Sequence, residues 1–123
     1  MAGVAGAPPT DGAFAAVGRG LDAAAAMLGE FRRDLSRQRQ AVIAANPELR
    51  ERELAKLADY AAAVAAALHQ RGVREPQATL AAEAGMTVLR VALQRWADAD
   101  VEEGLDAVMR DSVADLRAVT TGL

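Results

Sequence analysis

Few side chains in this sequence are equipped for chemistry beyond binding. Cysteine is absent and His69 is the only histidine, which excludes disulfides, thiolate metal sites, cysteine nucleophiles and a histidine pair for zinc or iron. Guanidinium, carboxylate, hydroxyl and amide groups remain. Arg32, Arg33, Arg37 and Arg39 crowd one stretch, while Glu83, Thr87, Arg90 and Gln94 recur at three- and four-residue spacing and so share one helical stripe. Arg90 on that stripe could receive a carboxylate or phosphate through paired N–H donors. The plainer alternative, for the stripe and for the arginine group alike, is a solvated face. His69 falls near a helix C-terminus, where the dipole favours a cation, and is assigned no chemistry. No catalytic residue, metal or cofactor is implied.

The chemistry that fits better is the holding of an apolar molecule. Phe31, Leu35, Leu57, Tyr60, Val64, Met86, Leu89 and Leu93 are the candidate lining of a pocket, with Gln38 and Arg90 as its polar contacts. Gln38 lies on an apolar stripe, where a polar group needs a partner: a ligand, or else a neighbouring helix or a position at the stripe's edge. Tyr60 offers an apolar body with one hydroxyl, equally suited to a pocket wall and to the rim of a core. The many alanines around these positions leave room for a ligand.

Positioning such a pocket falls to helices. The chain has 123 residues, enough for one domain. Hydrophobic residues make up 52%, but aromatics only 3%, and about a quarter of all residues are alanine. Alanine buries little area, so a core built from it is thin unless helices approach closely. A net charge of −3 argues against a general nucleic-acid binder, which needs a strongly positive face. No apolar run reaches the length of a membrane span. Residues 1–9 read as a flexible lead-in of small residues and proline, without the basic and apolar regions of a signal peptide, so a cytoplasmic address is expected.

Nothing alternates as a strand should. Residues 10–123 are expected to form an all-α domain of about five helices. The first spans 13–28, capped by Thr10 or Asp11, with the stripe Phe14, Val17, Leu21, Ala24, Ala25 and Leu28. The second spans 30–45, with Phe31, Leu35, Gln38 and Val42 facing inward. Asn46-Pro47 opens the third, which runs to about Arg71 on a seam of Leu54, Leu57, Ala61, Val64 and Leu68 and stops at Gly72. The fourth spans 76–97. Asp100, answered by Glu103, is expected to cap the fifth, whose stripe runs Val101, Leu105, Val108, Met109, Ser112, Leu116 and Val119.

The fourth helix carries the strongest expectation. Laid out at 100° per residue, its apolar side chains cover an arc of roughly 260°, where a surface helix needs little over 100°. Four modest siblings are expected to fall short of covering it, and a second copy of the chain is expected to supply the rest around a two-fold axis. The interface is assigned to Ala81, Ala84, Gly85, Val88 and Ala92, joined by Leu105, Met109 and Leu116 of the last helix. The alternative is that the fourth helix is the central one of a monomeric bundle.

The run Arg37-Gln-Arg-Gln-Ala-Val-Ile-Ala-Ala-Asn46-Pro47-Glu48-Leu49-Arg50-Glu-Arg-Glu-Leu-Ala-Lys-Leu-Ala-Asp-Tyr60 resembles the C-terminal half of TetR-family transcriptional regulators, most closely the branch with an acyl-CoA-type ligand-binding domain. Ala92-Leu-Gln-Arg-Trp96-Ala-Asp98, with Leu105 to Leu116 after it, is similar to that family's final two helices. The resemblance spans roughly residues 13–120 and rests on the order and lengths of all five helices. It implies an effector-sensing domain that holds a small hydrophobic or acyl-type ligand and pairs as a homodimer through its last two helices. It also implies an N-terminal helix-turn-helix head of about fifty residues. Nothing before Phe14 reads as that head, so no DNA contact is expected from this chain itself.

Two other functions compete. One is a stand-alone helical interaction protein that pairs with intact regulators and modulates them. The other is a small all-helical enzyme of the chorismate mutase kind, which would need several inward cations around a dicarboxylate. Only Arg39 and Arg90 come near such positions, so an enzyme is not expected.

Overall fold

A computed structural model describes residues 12–30, 33–98 and 102–121 of the chain. The lead-in over 1–9, the caps Thr10 and Asp11, and Phe31, Arg32, Asp100 and Val101 lie outside the described residues. Among the described residues five helices follow one another: α1 (Ala13–Leu28), α2 (Arg33–Ala45), α3 (Pro47–Gln70), α4 (Gln77–Ala97) and α5 (Leu105–Thr120). No strand occurs among the described residues, and none of the helices is long and apolar enough to cross a membrane.

Local chemistry accounts for several ends. The Asn46 side chain accepts from the backbone N–H of Glu48 at 3.0 Å and of Leu49 at 3.3 Å, and Pro47 takes the first helical position. At the other end of α3, Gly72 adopts φ +91°, a region that costs glycine little. Its N–H donates to the His69 carbonyl and that of Val73 to the Leu68 carbonyl, which closes the helix by the paired 5→2 and 6→1 bonds of a Schellman turn. The start of α5 differs from expectation. Gly104, in an extended conformation, is its N-cap, and Glu103 lies outside the helix. Glycine is a poor helix former, and its carbonyl instead receives the Val108 N–H at 3.1 Å.

The core gathers on α4, which packs against all four other helices. This corrects the expectation that its apolar arc exceeds what one chain can cover. Ala81, Gly85, Val88, Ala92, Leu105 and Met109, assigned to an interface between copies, are buried within the protomer, while Ala84 and Leu116 are half-buried. The reason is close approach. A Cβ built on Gly85 would stand 2.4 Å from Val17 Cγ1, so α1 lies against α4 as tightly as a glycine permits. From α1, Ala16, Val17, Leu21 and Ala25 complete that wall. Between α4 and α5, Arg95 Nη1 donates to Ser112 Oγ at 3.1 Å and to Asp115 Oδ2 at 2.8 Å.

A second correction concerns α2, which has no buried residue. Leu35 and Val42 of its expected inner stripe are 52% and 57% exposed. The side turned inward holds Arg33, Ser36, Gln40 and Ile43, all half-buried. Its attachments are polar. Arg37 Nε donates to the Ala97 carbonyl at 2.8 Å, Gln40 Nε2 to the Leu93 carbonyl at 3.3 Å, and Arg33 to the Glu103 carbonyl. The Arg33 guanidinium also lies 5.5 Å from the Trp96 ring centroid. The last carbonyls of a helix lack intrahelical donors and carry the negative end of its dipole. The C-terminal end of α4 therefore draws the arginine-bearing side of α2 rather than its apolar side.

Candidate functional site

Because α2 is tied by side-chain donors rather than packed by apolar ones, it stands off the bundle and leaves space beneath it. A cavity of about 520 Å³ opens between α2 and the first half of α3, lined by Leu35, Gln38, Arg39, Val42, Ile43, Leu49, Arg52, Glu53 and Lys56. A second, of about 430 Å³, lies deeper, among Leu28 at the end of α1, α2, α3 and α4; Leu35, Leu57, Tyr60, Leu89, Leu93 and Trp96 contribute to its walls. A third, of about 590 Å³, adjoins the second across Gln40, Leu57, Leu89 and Leu93 and opens past Arg37, Arg50, Arg90 and Gln94. Together the second and third make a cleft with apolar walls and charged mouths.

The residues assigned to a pocket divide accordingly. Leu35, Leu57, Tyr60, Leu89 and Leu93 come together around the 430 Å³ cavity. Arg90 joins Leu57, Leu89 and Leu93 at the neighbouring one. Gln38 is exposed and borders only the outer space between α2 and α3, which is the edge position among its alternatives and not a contact with the deeper cavities. Val64 and Met86 are buried in the core and line none of these cavities. They lie on faces of α3 and α4 that the bundle itself covers, beyond the stretch where α2 stands away. Phe31 is outside the described residues.

Sequence reasoning missed Gln40, Arg39, Glu53, Lys56, Arg50 and Trp96 as lining. The available signal was the density of arginine in 32–39. Such a stretch must either stay in water or find carbonyls and carboxylates, and here it finds both.

Glu53 is the electrostatic centre of the cleft, since it and Arg39 border all three cavities. Its Oε2 receives Lys56 Nζ at 3.0 Å and Arg39 Nη2 at 3.1 Å. Partial burial pushes its carboxyl upward, but hydrogen bonds from Lys56 and Arg39 and their positive charges outweigh that, leaving it below the usual 4.5. Among the described residues no buried side-chain nitrogen or oxygen lacks a partner, and no group of three or more histidine or acidic side chains is placed to hold a metal. What the arrangement offers is an open groove with apolar walls, in which Arg39, Glu53 and Lys56 also take part.

No protein-family model matches this chain, and none of the curated proteins matches it either.

Proposed function

We propose that the chain is an effector-sensing domain that takes a small hydrophobic or acyl-type ligand into the cleft beneath α2, as in a regulator of the TetR kind whose DNA contact is made by a separate head. One observation carries the reading. Leu35, Leu57, Tyr60, Leu89 and Leu93, drawn from three helices, surround one cavity of about 430 Å³. Pockets for small ligands range over about 300–1,000 Å³ and are mostly apolar with a few polar groups. A ligand there touches α2, which no buried side chain anchors, so differential binding to its docked and displaced positions would convert occupancy into movement.

Thermal-shift measurements with fatty acyl thioesters and hydrophobic drugs test this. A ligand at a hundred times its Kd stabilises by about 2.7 kcal/mol. Replacing Leu89 with tryptophan, to fill the space, should abolish the shift while the protein stays folded. Absence of stabilisation by every compound in the unmodified chain refutes the proposal.

A second reading is a stand-alone helical interaction protein. Its support is the apolar area left outside on α2 and α3, where Leu35, Val42 and Leu54 are exposed. Pairing of two copies through the last two helices, which the first reading entails, falls to apolar groups that α4 and α5 leave outside, Leu80 and Val119. Light scattering across a concentration series measures that pairing.

A further inference from the structure

The second helix and the surface beneath it are mismatched. Leu35 and Val42 share the outer side of α2 and are exposed, while Leu57, Leu89 and Leu93 below it are half-buried walls of the cavity of about 430 Å³. Two apolar surfaces of one chain thus stay apart although covering each other would remove both from water. Leu35 borders this cavity and the outer one, so it stands at the edge of the space; of the three cavities Val42 borders only the outer. The opposite side of α2 carries Arg33, Arg37 and Gln40, whose bonds to the Glu103, Ala97 and Leu93 carbonyls hold the helix as it lies. The last two bonds set α2 antiparallel to α4 and bring the level of Val42 within a turn of Leu89.

The junction with α3 permits the helix to turn. Asn46, extended at φ −122° and ψ 110°, is the single residue between α2 and α3. The ψ of Ala45 and the φ of Asn46 precede the Asn46 Cα, so rotation about them leaves the capping bonds to Glu48 and Leu49 intact. We propose that α2 has a second docked position, reached by rolling roughly a third of a turn. In it Leu35 and Val42 close onto Leu57, Leu89 and Leu93, and Arg33, Arg37 and Gln40 turn to solvent. The two positions respond oppositely to a salt such as sulfate, which screens the arginine ties and strengthens apolar burial. The device fills the cleft from within, needs no ligand, and stands independently of the ligand-binding reading.

The chain contains no cysteine, so single introduced thiols report the position of α2 by their rate of alkylation. Ser36→Cys probes the half-buried side at the 430 Å³ cavity, Val42→Cys the exposed side, and Ala66→Cys, on the exposed side of α3, is the reference. The first two substitutions keep the approximate size of the side chain, so the fold is retained. Each full-length variant is labelled with iodoacetamide in dilute buffer and in about 1 M ammonium sulfate. Relative to Ala66→Cys, added sulfate should slow labelling of Val42→Cys about tenfold and quicken that of Ser36→Cys severalfold. That reciprocal change supports the roll. Quickening at both sites means that α2 comes away whole, slowing at both means general tightening, and constancy at both means one position; each of these overturns the proposal.

Discussion

Replacing Gly85 with alanine adds a methyl group where α1 already stands. The new Cβ would lie 2.4 Å from Val17 Cγ1, more than 1 Å inside the roughly 3.5–4.0 Å at which carbon atoms attract. Val17 is 2% exposed and β-branched, so it has neither space nor rotamer freedom to yield. Overpacking of this kind costs about 1–3 kcal/mol. Against it stands a gain of about 1 kcal/mol from exchanging glycine for alanine within a helix. The expected balance runs from near zero to a net loss of about 2 kcal/mol, or up to roughly 8 °C in Tm for a domain of this size. Val17→Ala alone should also destabilise by leaving a void. In the double variant the Gly85→Ala methyl fills that void, so the two losses should be less than additive by about 1 kcal/mol or more. Urea and thermal unfolding of the four proteins, at two concentrations tenfold apart, make the assay. If Gly85→Ala is stabilising by its full helix-propensity gain, or if its cost appears only where copies associate, then α1 does not cover this face of α4 and the intramolecular account fails.

Two further outcomes follow from the cleft. Arg37→Ala removes the 2.8 Å tie from α2 to the Ala97 carbonyl, and hydrogen exchange should quicken across 33–45 while the interior of α4 keeps its protection; unchanged exchange in α2 would show that other contacts hold it. Because the carboxyl of Glu53 titrates lower in the folded chain than its ordinary 4.5, its contribution to stability is fully present above that value and is lost as pH falls through the folded pKa. Urea midpoints measured from neutral pH to below 4.5 should therefore decline less steeply in Glu53→Gln than in the unmodified chain, and parallel declines would remove Glu53 from the account.

What can be read from the linear chain is what short-range chemistry decides. Apolar spacing and flanking glycine place α1 at Ala13–Leu28, Asn46 and Pro47 open α3, and Gly72 closes it, because caps and turns are settled by groups within a few residues of one another. Leu57, Leu89 and Leu93 were legible as lining for a related reason: each lies on a helix face whose period is visible. Tertiary structure alone decided which neighbour meets each face. Periodicity measures how much of α4 is apolar, yet it is silent on whether α1 or a second copy lies against Gly85, a matter of approach distance. It also misplaced the inward side of α2, since the attachment of Arg37 to the Ala97 carbonyl and of Gln40 to the Leu93 carbonyl joins helices more than fifty residues apart along the chain. The arginine-bordered mouth exists for the same reason: Arg50 and Arg90 acquire a shared cavity only once α3 and α4 are packed together.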